Sequence, residues 1–302
     1  MSRVLITGGA GFIGSHLALQ LSEMGQEVIV MDDFSVGTFE NLRGFSGEIV
    51  QGNVADGIPK VGTIDFVYHL AAITDPRYPD DERLLNVNLK GFEHALQKAI
   101  SDRGRFIYAS SAAVYGNSPY PQKEGQLKDI RNAYALSKLI CDERALHLPC
   151  PIPIIGLRYF NVFGPGEEHK GRAASMIFHV ANALRKGEKI HLFKHGEQCR
   201  DHIYVKDVVR ANILAMNATP GIYNVGTGRA ISFNELVTTI ANILHCPFEI
   251  EYVDMPFDVT TYQHYTKANI HKAKDGLKFL SWYSFEEALI EYLGKSNGEK
   301  IL

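Results

Sequence analysis

Val4, Leu5 and Ile6 form a short apolar run. Thr7-Gly8-Gly9-Ala10-Gly11-Phe12-Ile13-Gly14 follows at once, then an amphipathic stretch over 15–24. The pattern predicts a buried strand, a glycine-rich turn and a helix. The alternation continues down the chain. Residues 27–31 read as a second buried strand, apolar from Val28 on and ending in Asp32-Asp33, and 64–70 read as another buried strand. A long amphipathic helix is expected over 82–101, a strand over 105–110, a helix over 132–147 and a strand over 152–158. Strands alternating with helices imply right-handed βαβ units and a parallel sheet with helices on both faces. The expected class is therefore α/β, with a doubly wound parallel sheet. After Asn161 the pattern is less regular, and 163–174, 187–200 and 247–267 mix loops with short elements. Ser284, with Glu287 three residues on, predicts a capped terminal helix over 284–293.

The first turn carries the most chemistry. Gly8 lets the chain turn sharply, Gly11 lets the backbone approach a pyrophosphate, and Gly14 lets the helix pack closely. The helix N-terminus then offers unpaired N–H groups and partial positive charge to phosphates. Asp32, with Asp33 beside it, lies roughly 20 residues past the glycines, where a carboxylate suits the two hydroxyls of an adenosine ribose. A carboxylate repels the 2′-phosphate of NADP, so NAD is the favoured cofactor and NADP stays open; Arg43 lies too far along the loop to reverse that. The predicted organisation is a dinucleotide-binding unit over 1–160 and about 202–227, and a smaller C-terminal α/β substrate-binding lobe over about 161–201 and 228–302.

Composition narrows the classes. With 302 residues, 45% of them hydrophobic, the chain can bury a substantial core. A net charge of −3 with both signs dispersed points to neither nucleic acid nor an anionic membrane as partner. Cysteines 141, 150, 199 and 246 are scattered without metal-ligand spacing, so no metal is expected and a reducing compartment fits. The first strand starts by residue 3, leaving no room for a signal peptide, and no apolar run reaches the ~18 residues of a membrane span. A soluble cytoplasmic protein is the expectation.

Tyr134 and Lys138 are four apart in a predicted helix, so their side chains share a face. A free phenol, with a pKa near ~10, is a poor base at neutral pH. An ammonium group held beside it stabilises phenolate, which would let Tyr134 accept a proton from a sugar hydroxyl. Ser110-Ser111 ends a strand, where a hydroxyl can bond a reacting oxygen; serine there also serves simply as a cap.

TGGAGFIG, SSAAVYG, YALSK and RYFNVFGP together resemble the extended short-chain dehydrogenase/reductases, in their nucleotide-sugar epimerase and dehydratase branch. The resemblance spans essentially the whole chain. It implies Tyr134 as catalytic base, Lys138 as its partner and as a ligand of the nicotinamide ribose, and Ser111 as the hydroxyl of the triad. It puts Phe12 and Ile13 along the pyrophosphate and Leu70, Ala71, Ala72 and Asn88 beside the cofactor. Dehydratases of this branch carry an Asp-Glu pair where this chain has Ala112 and Ala113, so an epimerase is favoured. His169-Lys170-Gly171-Arg172, Arg200-Asp201, Tyr262-Gln263 and Thr266 are similar to the ADP-glyceromanno-heptose 6-epimerases, a group tied to lipopolysaccharide sugars. That resemblance implies Lys170 as a second acid/base and Asn161, Arg172, His179, Arg200 and Tyr262 as contacts of a nucleotide-diphosphate sugar.

Alternatives remain at this level. Lys170 also reads as a solvated loop lysine among Glu167, Glu168 and His169. The loop over 35–40 lacks the lysine that NADP-using members of the heptose group carry, and Asn53 stands where relatives have an aspartate. A UDP-glucose or UDP-N-acetylglucosamine 4-epimerase shares every motif up to Pro165, and an NAD(H)-sensing regulator is the reading outside enzymes. The branch implies a homo-oligomer, with Phe92 and Leu96 as candidate contact residues.

Overall fold

The computed structural model describes residues 1–256 and 262–294. The first half follows the predicted alternation: β1 (Arg3–Thr7), α1 (Phe12–Glu23), β2 (Glu27–Asp32), β3 (Glu48–Gln51), β4 (Phe66–His69), α2 (Asp81–Asp102), β5 (Arg105–Ser111), α3 (Ala133–His147) and β6 (Ile154–Tyr159). Beyond it come β7 (Asn161–Phe163), α4 (Met176–Lys186), β8 (Ile190–Phe193), β9 (Cys199–Arg200), β10 (His202–Tyr204) and α5 (Val205–Ala215). The chain continues through β11 (Gly221–Val225), β12 (Ile231–Ser232), α6 (Phe233–Leu244), β13 (Ile250–Val253) and α7 (Phe285–Gly294). The edge strand β3 is absent from the sequence expectation. It is short and largely exposed, so it carries no alternation to read.

Seven parallel strands form one sheet in the order β3-β2-β1-β4-β5-β6-β11. This is a Rossmann-like sheet, and its direction of winding reverses between β1 and β4, where ligands of such sheets bind. α1 and α5 pack together on one face and α2 and α3 on the other. The central strands are apolar on both sides because both faces are covered. Val4, Ile6, Val28 and Val30 meet Leu17, Leu21 and Val208, whereas Leu5, Ile29 and Val67 meet Phe92, Leu96 and Phe106. Phe92 and Leu96 are thus core residues, which corrects their reading as contact residues: α2 turns them onto the sheet, 2% and 0% exposed.

A further apolar cluster lies outside the sheet, built by α4, α6, α7 and β8 around Ile177, Leu184, Leu192, Leu236, Ile240 and Leu289. α6 buries Phe233, Leu236, Val237, Ile240 and Ala241, the helical spacing that makes one apolar face. Two parallel pairs, β7 with β10 and β8 with β13, and the antiparallel pair β9 with β12 carry the chain between the two clusters. The parts of the predicted lobe at 257–261 and 295–302 lie outside the described residues. Among the described residues no helix is long and apolar enough to cross a membrane.

Candidate active site

The turn after β1 is held by close backbone contacts. Gly8 has φ +73°, and a Cβ there would stand 2.5 Å from the Ala71 nitrogen, so the loop after β4 touches the turn. A Cβ on Gly14 would stand 2.2 Å from the Gly8 carbonyl oxygen, which lets α1 begin directly on the turn. α1 follows its N-cap Gly11 with no side-chain cap and no acid in its first turn, so no capping side chain takes up its first N–H groups. A helix start of that kind is a cradle suited to a diphosphate; of the two residues expected beside it, Phe12 is buried and Ile13 half-buried. Asp32 is buried at the end of β2, where the N–H groups of Ala10 and Phe34 each donate to its carboxylate at 2.9 Å. Burial raises the pKa of Asp32, and those two N–H groups oppose the rise. Asp33 accepts from Ser35, and the Asn53 amide donates to it at 2.9 Å. An asparagine at 53 therefore avoids a second carboxylate against Asp33.

Leu70, Ala71 and Ala72 line the loop after β4, half-buried. Asn88, buried on α2, ties that loop down: it accepts from the Ile73 N–H at 2.8 Å and donates to the Ile73 carbonyl and to Ser137 on α3. Its amide holds the loop beside the cradle. His69, at the end of β4, bonds Thr7 at 2.9 Å, and burial pushes its pKa down to about 3, so it stays neutral.

Tyr134 and Lys138 share a face of α3, with the Lys138 ammonium 5.8 Å from the Tyr134 ring centre. Lys138 is 5% exposed and donates to the Ala109 carbonyl of β5 at 2.8 Å. α3 packs on β5 and on the single turn 112–115 that follows it. Ser111 caps that turn, accepting from the Ala113 N–H at 3.1 Å, and its own O–H stays available to a ligand. Strand alternation turns Ser110 the other way, onto the buried Asp142 at 3.0 Å. Asp142 also accepts from Tyr108 at 2.9 Å and from Arg158 at 2.8 Å. Sequence reasoning missed this buried group, because its partners come from two strands, β5 and β6, on either side of α3 along the chain.

A cavity of about 540 Å³ has Thr74, Asn161, Lys170, Arg200, His202 and Tyr262 in its wall, and Ser111, Tyr134 and Lys138 are not part of that wall. Asn161 donates to the Asp201 carbonyl and to Thr266 at 3.2 and 3.1 Å. Arg200, 8% exposed, stacks over the Tyr262 and Phe233 rings at 5.1 and 5.6 Å. Lys170 is half-buried, with its ammonium 5.2 Å over the Phe12 ring, and burial pushes its pKa down. The reading of Lys170 as a solvated lysine is thereby corrected. Glu167, in the same supposed surface loop, is 0% exposed. It accepts from the Ser175 N–H and hydroxyl at 2.5 and 2.8 Å and from the Gly164 N–H at 3.3 Å, so it closes the base of the loop that carries Lys170. No local spacing signals such a role. The cavity wall does not include Arg172 or His179. Arg172 is exposed and paired with Asp75 at 2.8 Å, and His179 is exposed on α4. Among the described residues no group of three or more His, Cys, Asp or Glu could hold a metal.

Residues 4–226 match the sequence profile of the NAD dependent epimerase/dehydratase family. The chain belongs to that family. Its cofactor is accordingly NAD. Three solved structures are similar over nearly their whole length. The ADP-L-glycero-D-manno-heptose-6-epimerase of Helicobacter pylori is 36% identical, with a TM-score of 0.90 over 97% of this chain and 96% of that one. A UDP-N-acetylglucosamine 4-epimerase from Methanobrevibacter ruminantium, in complex with UDP-N-acetylmuramic acid, is 31% identical, with a TM-score of 0.89 over 97% of each chain. The UDP-glucose 4-epimerase of Thermotoga maritima, with UDP-glucose, is 30% identical, with a TM-score of 0.89 over 98% of this chain and 100% of that one. The uncapped start of α1 and the carboxylate at the end of β2 are the features of this chain that suit the family's cofactor.

Proposed function

We propose that the protein epimerises a nucleotide-diphosphate sugar, and specifically ADP-glyceromanno-heptose at carbon 6. The observation that carries this reading is Lys170, a half-buried ammonium in the cavity wall, on a segment distinct from the helix of Tyr134 and Lys138. Inverting one carbon through a carbonyl calls either for reorientation of the sugar or for a proton-transfer group on each side. Tyr134 takes the proton of the reacting hydroxyl, Lys138 stabilises the phenolate, and Ser111 hydrogen-bonds the reacting oxygen. NAD, when bound, supplies reversible acceptance of a hydride, so there is no net oxidation. Lys170, with a pKa lowered by burial, handles the proton on the second side. Arg200 offers its planar fork to the diphosphate, and Asn161 and Tyr262 stand beside it in the same wall. Ala112 and Ala113 supply no acid or base, which disfavours dehydration. Asp32 and Asp33 side by side favour NAD over NADP. The segments 161–201 and 228–302 act as the substrate lobe in this reading. The four cysteines are unpaired, which supports a reducing, cytoplasmic setting.

A 4-epimerase of UDP-sugars is the second reading, because two such enzymes are nearly as similar in structure. Proton NMR of ADP-D-glycero-D-manno-heptose incubated with the protein tests the choice. The L-glycero epimer appearing without added NADH supports the 6-epimerase. An unchanged heptose, with UDP-glucose or UDP-N-acetylglucosamine converted in a parallel tube, sinks it and leaves the 4-epimerase.

A further inference from the structure

The loop between β7 and α4 crosses to the other half of the molecule and lands on the cofactor cradle. Its base is closed by Glu167, as described above. From that base two consecutive side chains reach across. Lys170 stands over Phe12, at the start of α1. His169 meets Asn41, its Nδ1 3.1 Å from the Asn41 amide nitrogen, across 128 residues of chain. The same amide nitrogen donates to the Ala10 carbonyl at 2.8 Å, and the Ala10 N–H donates to Asp32 at 2.9 Å. A continuous chain of contacts thus runs from Asp32 through the glycine-rich turn and Asn41 to His169. Gly166 lies against the ring of His16 on α1, so the loop follows the cradle along its length.

We infer that residues 164–175 form a strap that retains the dinucleotide, fastened by the His169–Asn41 hydrogen bond. A diphosphate on the α1 N-terminus and a ribose at Asp32 occupy the floor that this strap spans. The cofactor leaves only when the fastening opens. An amide N–H is the donor here, so His169 accepts through Nδ1 and serves in its neutral form. Glu168, Lys170, Asp32 and the Gly166 carbonyl face the imidazole, and its pKa is lowered chiefly by burial. The inference needs only the family's cofactor and is independent of which sugar is turned over.

The test is the release of isotope-labelled NAD from the loaded protein after excess unlabelled NAD is added, with no sugar present. His169→Ala is expected to release label about tenfold faster than the unaltered protein, equivalent to about 1.4 kcal/mol, the size of one hydrogen bond. His169→Asn, whose amide oxygen stands near the position of Nδ1, is expected to restore slow release. Equal release from the unaltered protein and His169→Ala overturns the strap, as does release from His169→Asn as fast as from His169→Ala. A fall in the cofactor-free melting temperature of His169→Ala large enough to account for the faster release assigns the effect to the fold, and also overturns it.

Discussion

Tyr134 and His202 make opposite demands on their surroundings. A phenol becomes a base only beside a cation, and Lys138, held by the Ala109 carbonyl, is the cation proposed for that part. Tyr134→Phe keeps the ring and removes the proton acceptor. Its kcat is expected to fall by roughly 10²–10⁴-fold, with NAD still bound when the protein is titrated by fluorescence; unchanged turnover would remove Tyr134 from the mechanism. His202 is 4% exposed, and neither ring nitrogen finds a partner among the described residues. Burial, aided by Arg200, pushes its pKa from 6.5 down to about 3. The native state therefore keeps this ring neutral while the unfolded chain protonates it, so stability is lost as pH falls from 6.5 towards 3. His202→Phe removes that loss. The variant is expected to gain about 1–3 kcal/mol near neutrality from the unmet polar atoms. The gain should grow by about 2 kcal/mol between about pH 7.5 and pH 5, read from urea midpoints. A gain that does not change with pH would refute the account.

At the scale of elements, α3 matters most, because it carries both Tyr134 and Lys138. Its start was legible: Asn132 caps it by accepting from the Ala135 N–H, a short-range device. The terminal helix was legible for the same reason, since Ser284 and Glu287 bond each other's backbone N–H groups at 2.9 and 3.2 Å. What locks α3 to the sheet was not legible. Asp142 joins it to Tyr108 and Ser110 of β5 and to Arg158 of β6, which is 1% exposed. Removing one partner of a buried pair leaves an uncompensated charge. Asp142→Ala is expected to cost about 3–5 kcal/mol of stability, measured by urea unfolding. A loss below about 1 kcal/mol, the range of exposed pairs, would show that the group does not anchor the helix.

For the whole molecule, one sheet and one outlying cluster are joined by short strand pairs and by the loop over 164–175. A cofactor lying across the switch between β1 and β4 touches segments from both halves, so its binding should stabilise them together. At a NAD concentration about 100 times the dissociation constant, the unfolding free energy should rise by about 2.7 kcal/mol. Calorimetry should show a single transition moved upward, whereas a transition that splits with NAD would mean that the halves melt separately. Which parts of this were readable follows from the range of the forces. The turn Gly8–Gly14, the carboxylate at Asp32, the βαβ alternation and the Tyr134–Lys138 pair were determined by the sequence itself, because steric freedom, periodicity and helical spacing act within one or two elements. Tertiary structure decided the rest. It buried Glu167 and Phe92, left Arg172 and His179 outside the cavity wall, and brought His169 to Asn41 and Glu167 to Tyr292, 128 and 125 residues apart. Contacts of that reach depend on how separately formed elements pack, and residue spacing along the chain carries no record of it.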